Sequence, residues 1–275
     1  GVPGMSSKPI GVFDSGLGGL TAVKELLHVL PHEDIVYFGD TGRVPYGNRS
    51  RETIIKYAEQ DAGFLLSKGV KLLIAACGTV SSVASELGGR FRVPFTGVVA
   101  PTAAAAAAAT KNGNIGVIGT TATIRSGSYK RALQKLSANI RVFQQDCPLF
   151  VPLVENNFLS PEDPVVTTIA ARYLSWLKEN GVDTIILGCT HYPMLKAAIS
   201  KVMDNRVTLV DSGRETALYA ARLLHESSLL NTENTSQGKC SFYVSDQPDG
   251  FTHMAGMFLQ KEITEDVHRI DIEQY

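Results

Sequence analysis

A chain of 275 residues with 44% apolar side chains and mean hydropathy near zero can bury a substantial core, in one large domain or two smaller ones. Its 26 basic and 27 acidic residues leave a net charge of −1 with no Lys/Arg cluster, so composition argues against nucleic-acid binding and favours small-molecule chemistry. Four cysteines without a CxxC pair argue against a disulfide framework, and no run is long and apolar enough for a membrane span, so the expected setting is the reducing cytoplasm.

Residues 1–4, GVPG ahead of Met5, are expected to be a cloning remnant outside the fold. Beyond them, short Val- and Ile-rich runs alternate with longer helical patterns. The runs are PIGVFD, DIVYFGD, KLLIAAC, FTGVVA, NIGVIGT, IRVFQQD, TIILGC, VTLVD and a final CSFYVSD. Helices are expected over TAVKELLHVL, over SRETIIKYAEQDAGFLLSKG and PEDPVVTTIAARYLSWLKENG, which both end at glycine, over the alanine run at 102–110, and over ETALYAARLLHES. This is the rhythm of parallel sheets with helices on both faces.

The pattern repeats. Ile10-Gly11-Val12 resembles Ile115-Gly116-Val117. Gly69-Val70 leads through KLLIAA to Cys77-Gly78-Thr79, and Gly181-Val182 leads through DTIILG to Cys189-Thr190-His191, with each cysteine eight residues past its glycine. Two similar α/β halves follow. The first is expected over 5–100 with the tail 212–275, and the second over 101–211.

In parallel sheets, ligands bind outside the carboxyl ends of the strands, where Asp14, Ser15, Asp40, Cys77 and Cys189 fall. Both cysteines precede expected helix starts, with Thr79 and Ser81 as capping candidates in one copy and Pro193 as a first-turn proline in the other, so a lowered thiol pKa is expected. Cys147 and Cys240 have no matched partner and read as structural. One nearby histidine, His191, does not make a zinc set, so no metal is expected. DSGLGG at 14–19 lacks the Gly-Lys-Ser/Thr ending of a P-loop, and a tight strand-to-helix turn accounts for most of its glycines. Asp14 fits an ammonium contact, help to a thiol, or a helix cap. The RVPYGNRS loop offers the N–H groups of Tyr46 and Gly47 to a carboxylate, or is a simple Pro-Gly turn. His191 either handles a proton beside Cys189 or is structural. Glu155, by its own surroundings, reads as surface or cap.

Taken together, IGVFDSGLGGLTAVKEL, YFGDTGRVPYGNRS, AACGTVSS, PLFVPLVE and LGCTHYP, in this order, resemble the glutamate racemases of the cofactor-independent aspartate/glutamate racemase superfamily. The resemblance implies two pseudo-symmetric, doubly wound parallel-sheet α/β domains with the active site in the cleft between them. It implies interconversion of L- and D-glutamate without a cofactor, supply of D-glutamate for peptidoglycan, and a cytoplasmic homodimer with no nucleic-acid or membrane partner. By position, Cys77 is implied as the base for the D-enantiomer and Cys189 for the L-enantiomer, with Asp14, His191 and Glu155 assisting. Asp14, Ser15, Tyr46, Gly47, Gly78, Thr79, Thr190 and His191 match substrate-contacting positions. The family usually carries Asn where this chain has Gly78, which bears on affinity and substrate choice. A related branch decarboxylates malonates and has glycine in place of the first cysteine; both cysteines are present here. A racemase for aspartate or another amino acid, and a non-catalytic binding module on the same fold, remain as alternatives.

Overall fold

The computed structural model describes residues 4–44 and 46–275; residues 1–3 of the expected remnant and Pro45 of the RVPYGNRS loop lie outside the described residues. Its strands are β1 (Ile10–Asp14), β2 (Ile35–Gly39), β3 (Leu72–Ala75), β4 (Phe95–Thr96), β5 (Asn114–Gly119), β6 (Arg141–Asp146), β7 (Thr184–Leu187), β8 (Thr208–Asp211), β9 (Cys240–Val244) and β10 (Val267–Arg269). The α-helices are α1 (Leu20–Val29), α2 (Arg51–Ser67), α3 (Gly78–Ser81), α4 (Ala84–Leu87), α5 (Val99–Ala109), α6 (Thr121–Ser126), α7 (Ser128–Leu136), α8 (Phe150–Glu155), α9 (Pro164–Glu179), α10 (Lys196–Val202), α11 (Ser212–Glu226) and α12 (Phe251–Leu259). The chain divides into two compact units, Gly1–Val98 with Thr216–Tyr275, and Val99–Glu215. None of the described helices is long and apolar enough to cross a membrane.

In the first unit the sheet order is β10-β9-β2-β1-β3-β4, parallel throughout. Phe13, Val36, Phe38, Leu73 and Ala75 face one side, where they pack with Ile54, Ala58, Ala62 and Leu65 of α2. Their neighbours Ile10, Val12, Ile35, Tyr37, Leu72 and Ile74 are equally buried on the other side, toward which α1 packs on β2 and on α12. Residues alternate across a strand, so burial of both sets means that both faces are covered. Each side chain of this size withdrawn from water stabilises the unit by roughly 1.5–3 kcal/mol.

The second unit repeats the plan. Its order is β6-β5-β7-β8, again parallel, the counterpart of β2-β1-β3-β4. Ile118, Ile185 and Leu187 pack with Val166, Ala170, Leu174 and Leu177 of α9, which stands to β5 as α2 stands to β1. Helices α2 and α9 are both followed by glycines in the left-handed region, Gly69 at φ +77° and Gly181 at φ +66°, a conformation that favours glycine at a helix end. The eight-residue spacing from these glycines to the cysteines therefore measures one strand leaving one helix cap.

Three local expectations need correction. FTGVVA is a strand only at Phe95–Thr96: the N–H of Val98 donates to Ser81 Oγ at 2.9 Å instead of to a neighbouring strand, and α5 starts at Val99. Thr79 and Ser81 do not cap a helix; both lie inside α3, whose N-cap is Cys77 itself, and Ser81 Oγ donates to the Cys77 carbonyl at 2.9 Å. The tail holds more than one helix and one strand, because α12 and the three-residue β10 follow β9. Two of the three residues of β10, His268 and Arg269, are exposed, and the strand lacks the apolar run that marks a strand in sequence.

Candidate active site

In the first unit, the chain leaves β1 at Asp14 and folds back on that side chain. The buried carboxylate accepts the N–H of Ser15 at 2.7 Å and the N–H of Gly19, while Tyr37 OH donates to the Gly16 carbonyl at 2.9 Å and fixes the turn from below. The glycines of DSGLGG thus direct N–H groups at an anion belonging to the chain itself. Burial pushes the Asp14 pKa up to about 6, outweighing the N–H groups of Gly19, Ser15 and Gly16, which lower it.

Cys77 stands two residues past the end of β3, buried, and its Sγ–H donates to Ser15 Oγ at 3.5 Å. Its pKa is raised, first by burial and then by the Asp14 charge; the Ser15 contact and the N–H groups of Val80 and Thr79 pull the other way and lose. The expected lowering by a helix start is therefore overturned. Helix α3 has four residues, too few for its dipole to outweigh desolvation plus a neighbouring carboxylate. Gly78 and Thr79 form its first two positions.

Tyr46 and Gly47 open a short 3-10 turn, Tyr46–Asn48, beyond β2. The Tyr46 ring points inward, 1% exposed, and its hydroxyl bonds to Asp40 and, at 2.6 Å, to Asp61. With the ring so committed, backbone N–H groups are what this turn can offer a ligand.

In the second unit, Cys189 lies two residues past β7, as Cys77 does past β3. His191 Nδ1 is 3.9 Å from Cys189 Sγ and 3.4 Å from Thr190 Oγ1, and its Nε2 is 3.2 Å from Glu155 Oε1. The carboxylate can only accept, which assigns the ring proton to Nε2 and leaves Nδ1 as an acceptor facing the thiol. Burial lowers the His191 pKa; the hydrogen bond and charge of Glu155 act against that and do not overcome it, so the ring is neutral at neutral pH. Glu155, the last residue of α8, is a histidine partner as well as a surface residue.

Among the sequence-derived residues, Asp14, Ser15, Cys77, Gly78 and Thr79 gather in the first unit at the carboxyl ends of β1 and β3, with Tyr46 and Gly47 beyond β2. Glu155, Cys189, Thr190 and His191 gather in the second. Cys147 is buried in the same core cluster against which Cys189 packs, Cys240 is buried in β9, and all four cysteines are free thiols. Sequence reasoning passed over Tyr37 and Asp61. Asp61 did carry a signal: it lies on the stripe of α2 formed by Ile54, Ala58, Ala62 and Leu65, where a carboxylate is out of place without a partner.

Residues 21–235 match the family model described as Asp/Glu/Hydantoin racemase. Over 270 residues, 98% of each chain, the sequence is 45% identical to a glutamate racemase of Geobacter metallireducens. The fold is similar to the crystal structure of glutamate racemase from Francisella tularensis in complex with D-glutamate, with a TM-score of 0.86 and 40% identity over 98% of this chain and 100% of that one. It is equally similar to the glutamate racemase from Thermus thermophilus in complex with β-chloro-D-alanine, with a TM-score of 0.85 and 42% identity over 98% and 99% of the two chains.

Proposed function

The chain belongs to the Asp/Glu/Hydantoin racemase family, and from that premise we propose that it interconverts L- and D-glutamate by proton transfer through Cys77 and Cys189, supplying D-glutamate for peptidoglycan. One observation carries this reading. The matching strand sets β2-β1-β3-β4 and β6-β5-β7-β8 each place a cysteine two residues past the equivalent strand, β3 or β7, and each cysteine has a side-chain partner within its own unit, Ser15 for Cys77 and His191 for Cys189.

The chemistry asks for removal of a weakly acidic α-proton. One sulfur, as thiolate, takes the hydrogen from one face of the α-carbon; the other, as thiol, returns one to the opposite face, and the reverse reaction exchanges their roles. Each thiol must therefore be able to shed a proton before it acts as base. For Cys77, we propose that the proton passes to the Ser15 hydroxyl and from there to the neighbouring Asp14 carboxylate, which accepts the Ser15 N–H. For Cys189, His191 Nδ1 accepts it, and Glu155 stabilises the imidazolium that results. Negative charge developing on the substrate carboxylate is met by positioned donors, the N–H groups of Tyr46 and Gly47 and the hydroxyls of Thr79 and Thr190. By this route the reaction needs no pyridoxal group. The reading extends to a cytoplasmic homodimer with a part in cell-wall biogenesis and cell shape.

Circular dichroism of L-glutamate incubated with the protein tests it. Loss of optical signal without added cofactor is the expected result; loss with L-aspartate alone would assign a different substrate, and no change with any amino acid would favour a binding module. Cys77→Ala and Cys189→Ala should each abolish turnover while leaving the melting transition in place. Near wild-type turnover in either variant would refute the two-base scheme.

A further inference from the structure

Behind the Tyr46–Asn48 turn lies a cluster of polar side chains whose hydrogens can be counted. Asp40, at the end of β2, and Asp61, in α2, are both 0% exposed, and both lie within hydrogen-bond distance of the single Tyr46 hydroxyl. That hydroxyl has one hydrogen to give. If both carboxylates were ionised, one of these two contacts would set an anionic oxygen against a phenolic lone pair, away from water. A second hydrogen must therefore sit in the cluster.

The other donors show where. Asp40 accepts from Ser245 Oγ at 2.6 Å and Arg43 Nε at 2.8 Å in addition to Tyr46, whereas among the described residues Asp61 has only Arg43 Nη2, at 3.3 Å, besides the phenol. Asp40 is thus equipped to carry the negative charge, paired with Arg43, and Asp61 is left to hold the extra proton. The remaining charges facing the cluster do not alter this assignment. Arg43 is shared with Gln60 and with the largely exposed Glu273, it lies 3.9 Å over the Tyr57 ring, and Arg49 stands 6.0 Å from that ring's centroid with no hydrogen bond to either carboxylate among the described residues. The Asp14 charge acts on Asp61 in the same sense as Asp40 does.

We propose that Asp61 is an un-ionised carboxylic acid at neutral pH and a positioning residue for the reaction. Its O–H donates to the Tyr46 oxygen, the Tyr46 O–H donates to Asp40, and this chain fixes the Tyr46–Gly47 turn whose backbone N–H groups receive the substrate carboxylate. The positioning role rests on the racemase reading given above. Burial and the Asp40 charge hold the Asp61 proton well above the usual carboxylate range, and burial with the two neighbouring carboxylates keeps the Tyr46 phenol protonated. Ionising Asp61 would put a second negative charge beside Asp40, where Arg43 is the one cation hydrogen-bonded to either carboxylate among the described residues, so the turn is held only while the proton stays.

Infrared spectroscopy of the full chain near pH 8, where Asp14 is ionised, tests the protonation state. A carboxylic-acid carbonyl band that shifts in D2O and is missing from Asp61→Asn is the expected result. Wild-type protein without such a band would overturn the proposal, whether or not any variant folds. Kinetics test the positioning role. Asp61→Leu should raise KM for glutamate about tenfold or more, with a smaller change in kcat. Asp61→Asn, whose amide can donate to Tyr46 and accept from Arg43 as the neutral acid does, should recover most of that affinity. Equal losses in the two variants would overturn it. Wild-type protein that does not racemise glutamate would strike down the functional reading and the positioning role with it. That failure is distinguishable from failure of the Asp61 assignment, because the infrared band needs no substrate.

Discussion

The Cys77 thiol donates to the Ser15 hydroxyl at 3.5 Å, and the Ser15 N–H donates to the Asp14 carboxylate at 2.7 Å. A buried thiol with a raised pKa is thereby joined to a group able to take its proton. Ser15→Ala interrupts that path, and a loss of about 1–2 kcal/mol of transition-state stabilisation, roughly 5–30-fold in kcat/KM, is the expected result. Enantiomers are equal in free energy, so steady-state assays from L- and from D-glutamate should show the same loss. An unchanged kcat/KM would remove Ser15 from the proton path.

Asp14 should leave opposite marks on stability and on activity as pH changes. Its folded pKa, about 6, lies above the ordinary value of 3.8, so the folded chain holds the proton more tightly than the unfolded one. Stability is then greatest below the ordinary value, falls as pH rises through this window, and is lower by about 3 kcal/mol once Asp14 is ionised in both states. Urea unfolding at the two ends of the window should show that slope, and Asp14→Asn should flatten it. Activity runs the other way: kcat/KM should rise through about pH 6 as the carboxylate appears.

Glu155 and His191 form the corresponding pair in the second unit, and the imidazole reports on it directly. Burial already holds the His191 pKa down, and Glu155 opposes that shift. Glu155→Gln should therefore move the His191 titration to lower pH, read from its ring-proton resonance, and slow turnover. A shift upward, or none, would mean that Glu155 has no hold on the ring. Because Glu155 is partly exposed, the effect should shrink as salt is added.

Gly78, where the family usually has Asn, follows the first cysteine directly. If the pocket follows the family, Gly78→Asn should preserve or lower KM for glutamate. A large rise in KM would mean that the surroundings of Cys77 have been rebuilt around the glycine.

The repeat itself makes a packing prediction. A Cβ at Gly11 would lie 3.0 Å from Val70 Cγ1 and 3.2 Å from Leu65 Cδ1, and one at Gly116 would lie 3.1 Å from Leu177 Cδ1. Leu65 and Leu177 belong to the equivalent helices α2 and α9, so both glycines allow a helix to settle closely on the first strand of its sheet. Gly11→Ala and Gly116→Ala should each destabilise by about 1–3 kcal/mol through overpacking, seen in thermal or denaturant unfolding. A neutral result at both positions would leave the likeness of the halves without an energetic basis.

Much of the fold is legible because its causes are local. Val- and Ile-rich runs, helix-ending glycines and the equal spacing to Cys77 and Cys189 act within a few residues, and they identify eight of the strands at nearly full length, the parallel α/β class and the two related halves. Signals weaken where the deciding partner is remote. Strand β4 stops after two residues because Val98 bonds to Ser81, and β10 exists because it pairs with β9. Neither cause is written in the segment itself.

For the site, the sequence by itself determined which chemical groups are present and that both cysteines stand at strand ends. Tertiary structure alone decided their states. A helix start argues for a lowered Cys77 pKa, whereas burial and Asp14 raise it; the Tyr46 ring, free to point anywhere in a Pro-Gly loop, is drawn inward by Asp40 and by Asp61, 15 residues away; Glu155 acquires a role only when the chain brings it to His191, 36 residues on. Periodicity and turn chemistry are properties of neighbours along the chain, while protonation and orientation depend on desolvation and on charges from residues that only folding makes adjacent.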